Sequence, residues 1–232
     1  MAIKGVLFDF SGTLFRVEST ESWLRAVLRE AQVELDEGEL IRAAQELELA
    51  GALPGGAFPG RPLSGDLAAL WRIRDESATS HRAAYTGMSR QVTLPDPALH
   101  DALYERHMVP AAWQPYPDAA EVLEGLRARG IAIGVVSNIG WDLRPVFRDH
   151  GLDAYVASYV LSYEYGIQKP DRRLFEIACA GLGLDPRDVV MVGDSREADG
   201  GAAALGCAVH FVDHLPAAER PNGLRPVLAM VA

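Results

Sequence analysis

Four short clusters along the chain carry residues able to do chemistry. The first is Asp9-Phe10-Ser11-Gly12-Thr13, directly behind the apolar run Val6-Leu7-Phe8. The second is Ser137-Asn138, the third Lys169-Pro170, and the fourth Gly193-Asp194-Ser195 with Asp199 a few residues on. Each comes after a strand-like run. In an open α/β sheet, ligands bind at the carboxyl ends of the strands, so this placement points to chemistry rather than packing. Together the clusters supply one candidate nucleophile, a hydroxyl, a cation and two further acids. Position 11 is Ser where a second acid is expected.

Asp9 is the candidate nucleophile. A carboxylate can attack phosphorus and form an acyl phosphate, which splits one hard displacement into two easier ones. Asp194 has the same placement, and two carboxylates at neighbouring strand ends repel unless a cation lies between them. Oxygen-only ligands favour a hard cation, and Mg²⁺ fits. Asp199 stands near the start of a predicted helix, where a carboxylate either favours the helix dipole or orders the metal ligands. Ser137 and Asn138 are placed to hold a phosphoryl oxygen near a helix N-terminus, though Ser-Asn is also an ordinary turn pair. Lys169 is one of only two lysines, Lys4 being the other, against twenty arginines. In its loop it can offset charge between nucleophile and phosphate, and a loop position predicts that Lys169→Met leaves the fold intact. Each cluster alone has a bland structural explanation. The ordered set of four, each behind a strand, overturns them.

The elements that must position these clusters follow from periodicity. Residues 1–15 read as strand then loop. Helices are predicted over 18–33, 37–52, 65–87 and 96–107, separated at 54–65 by a loop rich in Pro and Gly. That loop is expected simply to connect two helices. Residues 16–115 therefore form a mostly helical block with no convincing strand. Beyond Pro117 the pattern alternates: helix 118–129, strand 131–136, helix 141–150, strand 159–162, helix 171–182, strand 189–192, helix 197–205, strand 208–212. Alternation of this kind means a parallel, doubly wound α/β sheet, with the helical block inserted after the first strand.

Composition bounds the function. The chain has 232 residues, room for one α/β domain with an insertion. Its net charge of −10 argues against a nucleic-acid or membrane-surface binder. No apolar run approaches the ~20 residues that span a bilayer. The N-terminus shows no signal-peptide pattern, and Cys179 and Cys207 stand in no CxxC pair. The expectation is a cytoplasmic protein with two reduced core thiols.

These residues resemble the haloacid dehalogenase-like (HAD) hydrolases over nearly the whole chain. The family's first motif, Asp-x-Asp-x-Thr, corresponds to Asp9-Phe10-Ser11-Gly12-Thr13. The second corresponds to Ser137, the third to Lys169-Pro170, and the fourth to Gly193-Asp194-Ser195 with Asp199. The resemblance implies a Rossmann-like core over 1–15 and 116–232 and a helical C1 cap over 16–115. It also implies Mg²⁺ held by Asp9, Asp194 and the backbone carbonyl of Ser11, with Ser11, Gly12, Ser137, Asn138 and Lys169 around the substrate.

Ser11 departs from the family's phosphatases, which carry Asp there as general acid and base. Such help is commonly worth ~10²–10⁴ in rate. Phosphonatase-like members use a cap lysine, and no lysine lies in 16–115. Dehalogenase-like members carry Tyr at this position, need no metal and lack Gly-Asp-Ser in the fourth motif. The expected function is a Mg²⁺-dependent phosphatase acting on a small phosphorylated metabolite through an aspartyl phosphate at Asp9. The alternatives are a phosphate-binding or regulatory protein that has lost turnover, and, ranked lower, a haloacid dehalogenase. If a replacement acid exists, His81 and His107 of the helical block are the candidates. Arg72, Arg74, Arg82 and His100 are further candidates for substrate contact.

Overall fold

The computed structural model describes residues 2–231. The chain opens with β1 (Gly5–Phe8) and β2 (Phe15–Val17), then runs through helices α1 (Thr20–Ala31), α2 (Glu37–Ala50), α3 (Gly65–Arg72), α4 (Ala78–Ser89) and α5 (Leu99–Arg106). It returns through β3 (Trp113–Pro115) and α6 (Ala119–Ala128) to β4 (Ala132–Ser137) and α7 (Arg144–Asp149). There follow β5 (Ser158–Leu161), α8 (Ser162–Tyr165), α9 (Arg172–Gly181), β6 (Val189–Gly193), β7 (Ala208–Phe211) and α10 (Pro226–Met230). β1, β4, β5, β6 and β7 form one parallel sheet in the order β5-β4-β1-β6-β7. The chain is an α/β protein with a Rossmann-like sheet, as its alternation of elements requires.

Side chains alternate across the sheet, and the two faces pack against different helices. Val6, Phe8, Ile133, Val190 and Val192 lie with Val122, Leu123 and Leu126 of α6 and Phe147 of α7. Leu7, Val136, Val160 and Met191 lie with Leu174, Phe175 and Ala178 of α9. Both faces of β1 are buried, so its run of four apolar or small residues carries no polar alternation. The first of these clusters continues into the helices of the 18–112 segment, taking in Trp23, Leu24, Leu47, Met88 and Leu103.

Three local features differ from the sequence reading. The block 16–115 is not free of strand, because β2 and β3 pair antiparallel at its two ends, Phe15 opposite Pro115 and Val17 opposite Trp113. They form a separate two-stranded ribbon outside the main sheet. Three residues are too few to show a period of two, and the partners are almost a hundred positions apart, so local pattern does not reveal them. The helix expected over 65–87 is broken, since Ser77 takes an extended conformation and its side chain accepts from Ser80 N–H, starting α4 afresh. The helix expected over 197–205 is a 3₁₀ segment, Asp199–Leu205, which carries the weak helix formers Gly200 and Gly201. Among the described residues no helix is long and apolar enough to cross a membrane. Cys179 and Cys207 are unbridged and buried, with their sulfurs 3.9 Å apart.

Candidate active site

Strand order brings three of the four clusters together. β1 pairs with β4 on one side and β6 on the other. Asp9, the residue after β1, therefore stands between Ser137, which ends β4, and Asp194, which follows β6. The backbone N–H of Asp9 donates to the carbonyl of Val192 at 2.9 Å, which fixes the turn off the strand. Gly12 then adopts φ +78°, and a side chain there would collide with His214 and the Asp194 carboxylate. A side chain at Gly193 would strike the Asp199 carboxylate. The glycines of the first and fourth clusters are thus required by close approach.

Lys169 reaches the same point from the loop between α8 and α9. The residue is only 3% exposed. It donates to Asp9 Oδ1 at 2.7 Å, Asp199 Oδ1 at 2.6 Å and the Val136 carbonyl at 3.1 Å. All three of its donors are therefore in use. Asn138 holds the loop: its Oδ1 accepts from Lys169 N–H at 2.6 Å and its Nδ2 donates to the Lys169 carbonyl at 3.0 Å. The side-chain amide of Asn138 is committed to the Lys169 backbone. Asp199 is fully buried and its second oxygen accepts from Ser195 N–H at 2.9 Å. Its principal partner is Lys169, a task that neither helix-start placement nor metal support anticipated.

The electrostatics of the cluster are unbalanced. Carboxylate oxygens of Asp9, Asp194 and Asp199 lie within 4.8 Å of one another, with Lys169 the one ammonium among them. Burial pushes the Asp9 carboxyl up to about 7, against the pull of Lys169 and with Asp199 and Asp194 adding to the rise. Burial also opposes the charge on Lys169, but Asp199 and Asp9 outweigh it and keep the ammonium above its usual range. Lys169 is charged, and the acids are short of positive charge. Asp9 Oδ2 and Asp194 Oδ1 accept no hydrogen bond among the described residues. These oxygens, with no Cys or His in the group of three acids, fit a hard divalent cation.

The site is open to a cavity of about 830 Å³ lined by Asp9, Ser11, Ser137, Asn138, Lys169 and Asp194. The loop at 54–65, expected only to join helices, reaches into it: Ser11 Oγ donates to the Gly55 carbonyl at 3.4 Å, and residues 54–58 line the wall. Gly55 takes φ +77°, and the Trp113 ring lies where its side chain would be. Proline and glycine density marks a loop but not its direction, which is set by this packing. Of the basic residues proposed for substrate contact, Arg72, Arg74 and His81 line the cavity, whereas Arg82, His100 and His107 do not.

Neither histidine suits the role of a replacement acid. His81 is buried and bonded through Nδ1 to the Tyr104 hydroxyl at 2.8 Å, and burial holds it well below the usual histidine range. His107 is fully buried, with Nδ1 on the Tyr104 carbonyl and Nε2 without a partner among the described residues. Burial lowers it to about 3 from 6.5. Both rings are neutral at physiological pH and hold no proton to give up as imidazolium. A stability effect follows. The unfolded His107 takes up a proton near its ordinary value while the folded ring does not, so stability is full above about pH 7 and falls as pH drops. Between about pH 6.5 and pH 5 His107 is expected to cost about 2 kcal/mol, at roughly 1.4 kcal/mol per unit. Denaturant midpoints across this window should fall in the native protein and fall less steeply in His107→Gln, where only the buried His81 still contributes. Equal slopes in the two proteins would contradict this.

Three residues around the site carry no signal in the four sequence clusters. His214 contacts Asp194 Oδ2 through Nδ1 at 2.5 Å, and Arg16 touches its other ring nitrogen. His214 lies just beyond β7, so the rule of polar residues behind strands applied to the fifth strand finds it. Arg16 also donates to the Gly55 carbonyl at 3.4 Å. Arg220 is buried, donates to the Gly12 and Thr13 carbonyls, and lies over the Tyr116 ring at 3.2 Å. It anchors the turn after Asp9 from the far end of the chain, where no local signal exists.

The model of the haloacid dehalogenase-like hydrolase family matches residues 3–206. The chain belongs to that family. Like other HAD-like hydrolases, it is an enzyme of the hydrolase class. It is 29% identical over 210 residues to (S)-2-haloacid dehalogenase 4A of Burkholderia cepacia, covering 88% of this chain and 80% of that one. It is 36% identical over 113 residues to the phosphoserine phosphatase of Thermus thermophilus, covering 48% of this chain and 42% of that one. A solved structure described as a dehalogenase with an intermediate complex has a TM-score of 0.69 at 23% identity, with 100% and 98% of the two chains covered, and speaks for the fold. Similarity thus assigns the HAD-like hydrolase family and leaves the choice between phosphorus and carbon–halogen chemistry to the site.

Proposed function

We propose that this HAD-like hydrolase is a Mg²⁺-dependent phosphatase acting on a small phosphorylated metabolite. The observation that carries the reading is the meeting of the Asp9, Asp194 and Asp199 carboxylates with one ammonium, Lys169, to offset them. A second acid at 194, with one oxygen free of hydrogen bonds among the described residues, suits a cation site. Asp9, Asp194 and the Ser11 carbonyl would hold the ion. When bound, it would supply positive charge to the nucleophile and to the phosphoryl oxygens.

Asp9 attacks phosphorus with a carboxylate oxygen; the bond from phosphorus to the leaving oxygen breaks and its electrons depart with that oxygen. Water then attacks the aspartyl phosphate, releasing inorganic phosphate and restoring Asp9. Lys169 holds Asp9 in place and, with Asp199, keeps the ammonium beside the developing charge. The Ser137 hydroxyl donates to a phosphoryl oxygen, and Asn138 positions Lys169. The helical segment 16–115 acts as a cap over the core of 1–15 and 116–232, with the loop at 54–58 as its nearest approach to Ser11. The two unbridged thiols fit a cytoplasmic location.

A Mg²⁺ titration with a generic aryl phosphate tests the reading. Metal-dependent turnover supports it, and tight binding without turnover marks a protein that kept the site and lost the reaction. The full-length likeness to a haloacid dehalogenase favours a second reading, in which Asp9 displaces halide from carbon. Metal-free halide release from a 2-haloacid would establish it. For the metal itself, Asp194→Ala should lower Mg²⁺ affinity, read by calorimetry, by more than the roughly 10–100-fold that loss of a supporting residue costs. Unchanged affinity would remove Asp194 from the ion.

A further inference from the structure

We infer that the leaving group this cavity accepts is an aromatic ring system, so that the substrate is an aryl phosphate. The inference rests on the phosphatase reading above and goes beyond it to the substrate class. Two sets of rings line the cavity, one buried at its base and one at its rim. Trp113 and Trp141 stand with centroids 6.0 Å apart. Trp71 packs edge-on against Tyr85 at 5.5 Å and against Phe58 at 6.4 Å. Phe58, on the loop that reaches the site, is 73% exposed, the most exposed large apolar side chain among the described residues. A ring left in water at the rim of a cavity is an unpartnered apolar surface.

Several polar groups of the same wall are already paired. Gln168 accepts from Asp75 N–H at 3.2 Å and donates to the Arg72 carbonyl at 2.8 Å. Arg74 donates to the Trp71 carbonyl at 2.7 Å and lies 4.0 Å from the centre of the Trp71 ring. His81 is bonded to Tyr104, and Arg16 to the Gly55 carbonyl. A flat aromatic leaving group packs against apolar ring surface, which the exposed Phe58 and the half-buried Trp71 offer at the rim. The chemistry at position 11 agrees independently. With Ser11 in place of an acid, the leaving oxygen departs with little proton help, and a phenolate tolerates this where an alkoxide does not.

The test separates ring recognition from leaving-group activation. Acetyl phosphate has no ring and needs little proton help; phenyl phosphate has one ring and 2-naphthyl phosphate two. With Mg²⁺ present, KM should fall from acetyl to phenyl to naphthyl phosphate, by about tenfold or more overall if two ring contacts form. Phe58→Ala, at an exposed position, and Trp71→Ala should each narrow that gap. An acetyl phosphate KM at or below that of naphthyl phosphate, or a gap unchanged in both variants, would overturn the inference. If none of the three phosphates is turned over, the phosphatase reading fails on its own. Ring recognition is then decided by binding to Asp9→Asn protein, read by tryptophan fluorescence, since three of the four tryptophans line the cavity. Tighter binding of 2-naphthylphosphonate than of methylphosphonate supports recognition of the ring, and equal binding refutes it.

Discussion

Asp9→Asn is expected to abolish turnover, with kcat lower by about 10⁴ or more, while the protein stays folded. An amide in place of the carboxylate cannot form the acyl phosphate, so the two-step route closes. The fold should survive because the substitution removes one negative charge from a group of acids short of positive charge. Lys169→Met should also abolish turnover, but with a different signature. Its loop position suggests a harmless substitution, yet Lys169 is 3% exposed and its ammonium is paired with Asp9 and Asp199. Removing it leaves buried acids uncompensated, which typically costs about 3–5 kcal/mol. A thermal melt should therefore separate the two variants, Asp9→Asn near the native value and Lys169→Met well below it. Native-like activity in Asp9→Asn would refute the nucleophile; an unshifted melt for Lys169→Met would refute the charge argument.

The second large effect belongs to Ser11. The native protein should hydrolyse alkyl phosphates very slowly and aryl or acyl phosphates well, and its aspartyl phosphate should persist because no base primes the attacking water. Ser11→Asp should raise alkyl-phosphate turnover by about 10²–10⁴. The Gly55 carbonyl, 3.4 Å from Ser11 Oγ, would accept a hydrogen bond from the protonated form of the new residue. His81 and His107 offer no substitute, since burial keeps both neutral. Steady-state rates on one aryl and one alkyl phosphate, before and after the substitution, check this. Alkyl turnover at an ordinary enzymatic rate, about 1–10³ per second, with no gain in Ser11→Asp would show that the acid comes from elsewhere.

Much of the sheet and its strand-end residues could be read in advance because parallel strands buried on both faces leave uninterrupted apolar runs. Val6-Leu7-Phe8 and the run ending at Ser137 are such cases, and ligands of open α/β sheets bind at the carboxyl ends of strands like these. What could not be read depends on contacts remote in sequence. The ribbon of β2 and β3 joins residues almost a hundred positions apart. Arg220 holds the turn after Asp9 from 208 residues away. The loop at 54–65 was legible as a loop, but its approach to Ser11 depends on how the helices pack. Asn138 was legible as polar and well placed, while its bond to the Lys169 backbone required the third cluster to be in position.

Trapping the phosphoryl enzyme tests the central claim most directly. Protein mixed with Mg²⁺ and an aryl phosphate, quenched in acid within the first turnover and digested, should give a peptide carrying one phosphoryl group on Asp9. The adduct should be absent from Asp9→Asn and from protein stripped of metal, and it should decay faster in Ser11→Asp. Release of inorganic phosphate at full rate with Asp9 unmodified, or metal-independent release of halide from a 2-haloacid with no phosphoryl adduct at any time, would contradict the account.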